Sequence, residues 1–144
     1  MSYKLFLDDL RMPKDVLNYM PEMNDLYSDE NWSIARNYNE FRNIIIENLM
    51  NSGEMPTIIS FDHDLGLEHT RFYFENGGHD NPPNPDNAEF IEKTGKDCAN
   101  WLVNFCEDKS LNLPEYYVHS KNPVGGRNIH SLLTQYKNFK QNGR

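Results

Sequence analysis

Thr57-Ile58-Ile59-Ser60-Phe61-Asp62-His63-Asp64-Leu65-Gly66 is the stretch whose reading settles the architecture. Its first five residues carry no charge and include two adjacent isoleucines, the pattern of a short strand covered on both faces. Such strands belong to parallel sheets whose crossover connections lay helices on either side. The run breaks abruptly into Asp62-His63-Asp64, and Leu65-Gly66 permits a tight turn behind the triplet.

Upstream, Phe41, Ile44, Ile45 and Leu49 follow helical spacing after Asn39 as N-cap, and Gly53 ends the helix. Tyr3 to Leu7 and Trp32 to Tyr38 read as two further strands. Between them, residues 10–31 contain Pro13 and Pro21 and predict a long irregular connection with at most one helical turn near Asp15 to Tyr19. Downstream, residues 67–93 hold Gly77-Gly78, Pro82-Pro83 and Pro85 and read as an inserted loop or lid. Thr94 and Asp97 match a capping box that opens a helix striped by Cys98, Trp101, Leu102 and Phe105. Glu115 to Val118 is a fourth strand, and Asn122-Pro123 opens a final helix bearing Ile129, Leu132, Leu133 and Tyr136. Alternating strands and helices predict one α/β domain over residues 1–144, a three-layer sandwich on about four parallel strands.

Composition removes several classes of function. The 22 acidic residues against 14 basic ones leave a net charge of -8, which repels a polyanion and argues against duplex nucleic acid, though not against a small phosphorylated ligand or nucleotide. No apolar run approaches the roughly 20 residues of a membrane span, and the first residues lack the apolar core of a secretion signal, so a soluble cytoplasmic protein is expected. Cys98 and Cys106 lie on one helix at a separation of about 12 Å along its axis and read as buried core thiols.

Three of the four strands end in groups able to do chemistry: Asp8-Asp9, Asp62-His63-Asp64 and His119-Ser120. Any one of them alone also reads as a solvated turn. A parallel sheet brings all three to one edge, where ligands of such folds bind. Asn122-Pro123-Val124-Gly125-Gly126-Arg127-Asn128 adds glycines, an arginine and backbone amides at a helix start, a setting for an anion, while Asn122 also reads as a plain N-cap and Gly-Gly as a turn. Arg11 either clamps a phosphate or pairs with the carboxylates around it. His63 carries a geometric condition: a strand running through residue 64 would point Asp62 and Asp64 one way and His63 the other.

The blocks Leu5-Phe6-Leu7-Asp8-Asp9-Leu10-Arg11-Met12-Pro13, Ile59-Ser60-Phe61-Asp62-His63-Asp64-Leu65-Gly66, Thr94-Gly95-Lys96-Asp97 and Val118-His119-Ser120-Lys121-Asn122-Pro123-Val124-Gly125 resemble the cyclic-phosphate processing receiver-like domain family. The resemblance implies a flavodoxin-like receiver scaffold acting on cyclic nucleotides or on 2',3'-cyclic phosphate ends of RNA. It carries His63, His119, Asp8, Asp9, Asp62 and Asp64 onto the active site. Opening a cyclic phosphodiester with water needs a base and an acid, and two imidazoles suit both roles near neutrality. In that reading His63, His119, Asp62 and Asp64 are catalytic, while Arg11, Ser120, Asn122, Gly125, Arg127 and Asn128 hold the phosphate.

Other readings of the same residues stay open. A metal-dependent version would place Mg²⁺ on Asp8, Asp9 and Asp62. Asp62 and Asp64 also have the spacing of a dehalogenase-like nucleophile and acid. A degenerate receiver would bind a phosphorylated ligand or partner, or be phosphorylated on Asp62 with Ser120 as switch hydroxyl, although no fifth strand with a lysine follows Ser120. Phe72 to Phe74 would stack on a nucleobase or, the reading preferred from sequence, tuck against their own domain.

Overall fold

The computed structural model describes residues 2–143. Strands β1 (Lys4–Leu7), β2 (Trp32–Ala35), β3 (Ile58–Phe61) and β4 (Glu115–Val118) form one parallel sheet in the order β2-β1-β3-β4. This is the order of the first four strands of a flavodoxin-like receiver sheet, and no fifth strand is present among the described residues. Leu7 pairs with Ala35 and with Phe61, and Phe61 pairs with Val118, so the strands finish level with one another. The ladder runs one residue further through Asp8 N to Ala35 O, Asp62 N to Leu7 O and His119 N to Phe61 O, each 3.0 Å. Asp8, Asp62 and His119 thereby become neighbours across three strands.

Strand alternation sorts the apolar side chains into two cores. Leu5, Leu7, Ile59 and Phe61 face α3 (Tyr38–Ser52), α5 (Gly95–Lys109) and α6 (Pro123–Gly143), where Phe41, Ile45, Leu102, Ile129 and Leu133 are buried with them. Phe6 faces the opposite layer, built by α1 (Pro13–Val16), the 3₁₀ turn Pro21–Met23 and α2 (Asn24–Tyr27). Phe6, Tyr27 and Trp32 interlock there with ring centroids 5.8 to 6.3 Å apart. The three-layer sandwich is therefore completed by residues 10–31, read from sequence as irregular. Its helices are single turns, too short to display a period, and Pro13 starts the first of them.

Other boundaries also shift. Strand β2 stops at Ala35, and Asn37, not Asn39, caps α3 by accepting from the Glu40 amide. The 67–93 segment is irregular only after its first nine residues, which form helix α4 (Leu67–Glu75). The helix is fixed by His69, which accepts from Leu65 N at 2.8 Å and bonds the Glu92 carbonyl at 3.0 Å, bridging both ends of the segment. The Thr94/Asp97 capping box is present at the start of α5. Cys98 and Cys106 are free and buried. Among the described residues no helix is long and apolar enough to cross a membrane.

Candidate active site

The buried groups at the sheet's carboxyl edge are held by neighbours that the fold supplies. Asp8 is fully buried; its Oδ1 accepts from the Leu10 and Arg11 amides at 2.9 and 2.8 Å, and its Oδ2 from Arg11 Nη1 and His119 Nε2, both at 3.0 Å. Burial would raise this carboxyl, but the bonds from His119 and from the two amides outweigh it and hold the group near 2. Asp8 is thus a fixed anion.

His119 lies beneath it, sealed from solvent and stacked on Phe6 at 4.4 Å with the rings 6° from parallel. Burial pulls the imidazole below its ordinary value against the attraction of Asp8. A neutral ring that donates from Nε2 to Asp8 must accept at Nδ1, and Ser60 Oγ stands there at 2.7 Å with Tyr27 Oη 2.6 Å behind it. The tautomer follows from this chain: Tyr27 donates to Ser60, Ser60 to His119, and His119 to Asp8.

Asp62, next to Asp8 on β3, is in the opposite state. Burial first, and the Asp8 charge second, push its carboxyl well above the ordinary range, with Arg11 and the His63 amide opposing. Its Oδ1 accepts from that amide at 2.8 Å, and its Oδ2 lies 3.6 Å from the Arg11 guanidinium. Two adjacent carboxyls are driven apart, one ionised and one favouring its proton. Asp9, half-buried, is also raised, by burial and then by Asp8.

β3 ends at Phe61, before the triplet, yet Asp62 and Asp64 line the cavity described below and His63 does not. His63 is fully buried, its Nδ1 2.8 Å from Asp64 Oδ1 and its Nε2 3.0 Å from Asp86 Oδ1. Burial opposes the charged ring, but the bonds to Asp64 and then Asp86 raise it to about 9, so His63 is an imidazolium donating at both nitrogens. Two glycines make room. A Cβ on Gly95 would overlap the Asp62 carbonyl, where the Gly95 amide donates to His63 O at 2.7 Å, and a Cβ on Gly125 would strike the His63 ring.

A cavity of about 260 Å³ opens above these groups. It is lined from the strand ends by Asp8, Asp9, Leu10, Arg11, Asp62, Asp64, Ser120, Lys121 and Asn122, and from α4 and the turn after it by Thr70, Tyr73, Phe74 and His79. Tyr19 donates to the His119 carbonyl at 2.6 Å, and its ring lies 5.2 Å from the Arg11 guanidinium and 5.3 Å from Lys121 Nζ, positioning both cations.

The residues nominated from sequence fall into distinct places. Asp62, Asp64, Arg11, Ser120 and Asn122 meet at the cavity, as do Asp8 and Asp9. His63 and His119 are one layer below, behind Asp64 and Asp8. Asn122 caps α6 by accepting from Gly125 N at 3.0 Å while its Nδ2 reaches Asp64 at 3.2 Å, so the Gly125 amide is already spent. Asn128 binds Asp86 at 2.7 Å and Asn84 at 3.0 Å, bracing the His63 bridge and not lining the cavity. Arg127 is exposed on α6 and also does not line it. Lys121, Tyr19, His79 and Asp86 were not nominated. Lys121 adjoined Ser120 and was within reach of the strand-end argument, whereas nothing local in the sequence marks the other three.

Magnesium fits this donor set poorly. Ligand atoms of Asp8, Asp62 and His119 lie within 4.8 Å of one another. Mg²⁺ selects octahedral oxygen ligands, as the sequence reading of Asp8, Asp9 and Asp62 would supply, but the gathered cluster has the His119 nitrogen in place of Asp9, both Asp8 oxygens are engaged, and the Arg11 guanidinium already bridges Asp8 and Asp62. The arginine supplies the positive charge that a cation would bring.

Neither a curated protein nor a solved structure matches the chain. The family described as the cyclic-phosphate processing receiver domain does match, over residues 3–135, a span that contains every strand and every group of the cavity. The chain belongs to that family.

Proposed function

We propose that this domain hydrolyses a cyclic phosphodiester, that of a cyclic nucleotide or of an RNA 2',3'-cyclic phosphate end, to a phosphomonoester and a free hydroxyl. The observation that carries this reading is the pair Asp8 and Asp62, adjacent at the strand ends, one ionised and one favouring its proton, bridged by Arg11. Ring opening needs a proton for the departing oxygen and positive charge for the phosphoryl group. Arg11 and Lys121 line the same cavity to receive phosphoryl oxygens, and Ser120, whose Oγ accepts from Asn122 N at 3.0 Å, keeps its hydroxyl proton to donate.

Water attacks phosphorus and gives its proton to the Asp64 carboxylate, which Asn122 and His63 orient. The bond from phosphorus to the ring oxygen breaks, and that oxygen takes the Asp62 proton. Both carboxyls then return to their starting states by exchange with solvent. His63 and His119 are positioning residues: the first fixes Asp64, the second holds Asp8 as the anion that keeps the Asp62 proton in place. A phosphoacceptor receiver would use the same cavity through Asp62 and Ser120, but it needs Asp62 ionised as nucleophile, against the burial that favours its proton.

A panel of cyclic nucleotides and RNA ends, followed by phosphorus NMR, tests the reading. A ring-opened monoester that Asp62→Asn lowers by about 100-fold or more supports it. Undiminished turnover by a folded Asp62→Asn overturns it, as does stable aspartyl phosphate at Asp62 from acetyl phosphate without any ring opening.

A further inference from the structure

We infer that Phe74, with His79 beside it and Leu10 at the same cavity, seats a planar base, so that the cyclic phosphate this site takes is a nucleoside's. The inference rests on the proposed hydrolysis for the strand-end part of the cavity and concerns the opposite end of the ligand. Helical phase places Thr70, Tyr73 and Phe74 of α4 on one face, and that face lines the cavity. Gly77 and Gly78, with φ of 130° and 57°, then turn the chain so that His79 joins the same wall.

The aromatic triplet divides its work. Phe72 packs edge-on against Phe90 at 5.5 Å and Tyr73 is buried, as a loop tucked onto its own domain would have it. Phe74 departs from that pattern: it is 59% exposed, yet on the wall of a cavity rather than on open surface. Tyr73 and His79 brace it at 5.1 and 5.5 Å, each nearly perpendicular to its ring. His79 is itself fixed by Nδ1 to Tyr73 Oη at 2.8 Å, and its Nε2 meets no partner among the described residues. Leu10, 82% exposed, adds a second uncovered apolar surface to the same cavity.

The cavity is therefore divided in chemistry. The strand ends supply carboxyls and two cations, and α4 with the turn after it supplies a braced, solvent-facing ring beside an unpartnered imidazole nitrogen. A sugar phosphate without a base would satisfy the first half and leave the second bare. A nucleoside cyclic phosphate covers both, with its base on Phe74 and its base edge within the compass of His79. Because the ring is already fixed, stacking on it costs little ordering. Only Arg11 and Lys121 are cationic among the lining residues and the chain carries a net charge of -8, so further phosphates of a longer strand gain nothing here.

The experiment compares adenosine 2',3'-cyclic phosphate, a base-free cyclic glycerophosphate and a short oligoribonucleotide ending in the cyclic phosphate, on the wild type, Phe74→Ala and Phe74→Trp. Thermal melts confirm that both variants fold. Phe74→Ala is expected to raise KM for the nucleoside substrate about tenfold with kcat little changed, Phe74→Trp to restore it, and the base-free substrate to be indifferent to both. The oligoribonucleotide is expected to bind no better than the mononucleotide; tighter binding that survives Phe74→Ala would overturn the seat. So would equal losses on the base-bearing and base-free substrates, or none. If calorimetry finds adenosine 2',3'-cyclic phosphate bound but unopened, and Phe74→Ala releases it, the seat stands and hydrolysis falls. If the base-free compound is opened as well as the nucleoside, hydrolysis stands and the seat falls, and no binding of the nucleoside at all also removes the seat.

Discussion

His63→Gln removes the charge from the middle of the Asp64–His63–Asp86 bridge while keeping an amide of similar reach. In the folded protein the imidazole is raised to about 9 by its two carboxylates, against burial, whereas in the unfolded chain it titrates near its ordinary 6.5. That difference stabilises the fold by about 3 kcal/mol while the ring is protonated in both states. The sign follows from proton counting. Below about pH 6.5 both states hold the proton and the contribution is complete; above it the unfolded chain releases the proton while the folded one keeps it, and the contribution declines until it is gone above about pH 9. Urea unfolding of wild type and variant at pH 6, 7.5 and 9.5 measures it, because the titrating groups outside this bridge are common to both and largely cancel. The expected gap is about 3 kcal/mol at the lowest pH and close to zero at the highest. A gap that stays constant across the series would mean that His63 is neutral and contributes packing alone, and the account of Asp64 as an oriented carboxylate would fail with it.

Arg11→Met should reduce ring opening by about 100-fold or more, since it removes the guanidinium that bridges Asp8 and Asp62; undiminished kcat would place the phosphoryl group elsewhere. A chelator should leave wild-type turnover within about twofold, because that same arginine carries the charge a divalent ion would supply, and activity lost to chelation and regained with Mg²⁺ would contradict this. Gly95→Ala should destabilise by about 1 to 3 kcal/mol or more, read as a lowered melting temperature, because its new methyl meets the Asp62 carbonyl. Ser60→Ala should cost about 1 to 3 kcal/mol by leaving His119 Nδ1 and the Tyr27 hydroxyl without their buried partner, and unchanged stability would refute the assigned chain of donors.

Much of the frame was legible because its signals are local. The charge-free run before Asp62, the capping box at Thr94 and the apolar stripe after Asn122 each announce an element within a few residues, and all three stand where the pattern put them. The layer over Phe6 was not legible, since single-turn helices have no period and their burial depends on Trp32 and Tyr27 meeting across the chain. The same limit governs the site. Strand ends converge by topology alone, so Asp8, Asp62 and Ser120 could be placed together from sequence. His79 joins them only because α4 and two left-handed glycines turn it back, and Asp86 reaches His63 from a 3₁₀ turn 23 residues away. No local pattern encodes either approach.

The position of the two histidines follows from the register. A residue one step past a level strand end can face the crevice only if no neighbour covers it, and β1, β3 and β4 end level. Asp8 projects over His119 from the adjacent end but one, and its carboxylate accepts the imidazole N–H that would otherwise meet a ligand. At His63 the cover is backbone: the first turn of α6 sets Gly125 against the ring, and α5 begins with Gly95 against the carbonyl of the preceding residue. Each imidazole is thus walled in by the packing that brings its carboxylate to the cavity. An acid–base role for either ring by direct contact would require α6 to withdraw from His63 or Asp8 to leave His119, breaking a buried bonded pair at a cost of about 3 to 5 kcal/mol. Passing the proton through Asp62 and Asp64 requires neither movement, and the proposed hydrolysis therefore assigns the transferred protons to the carboxyls.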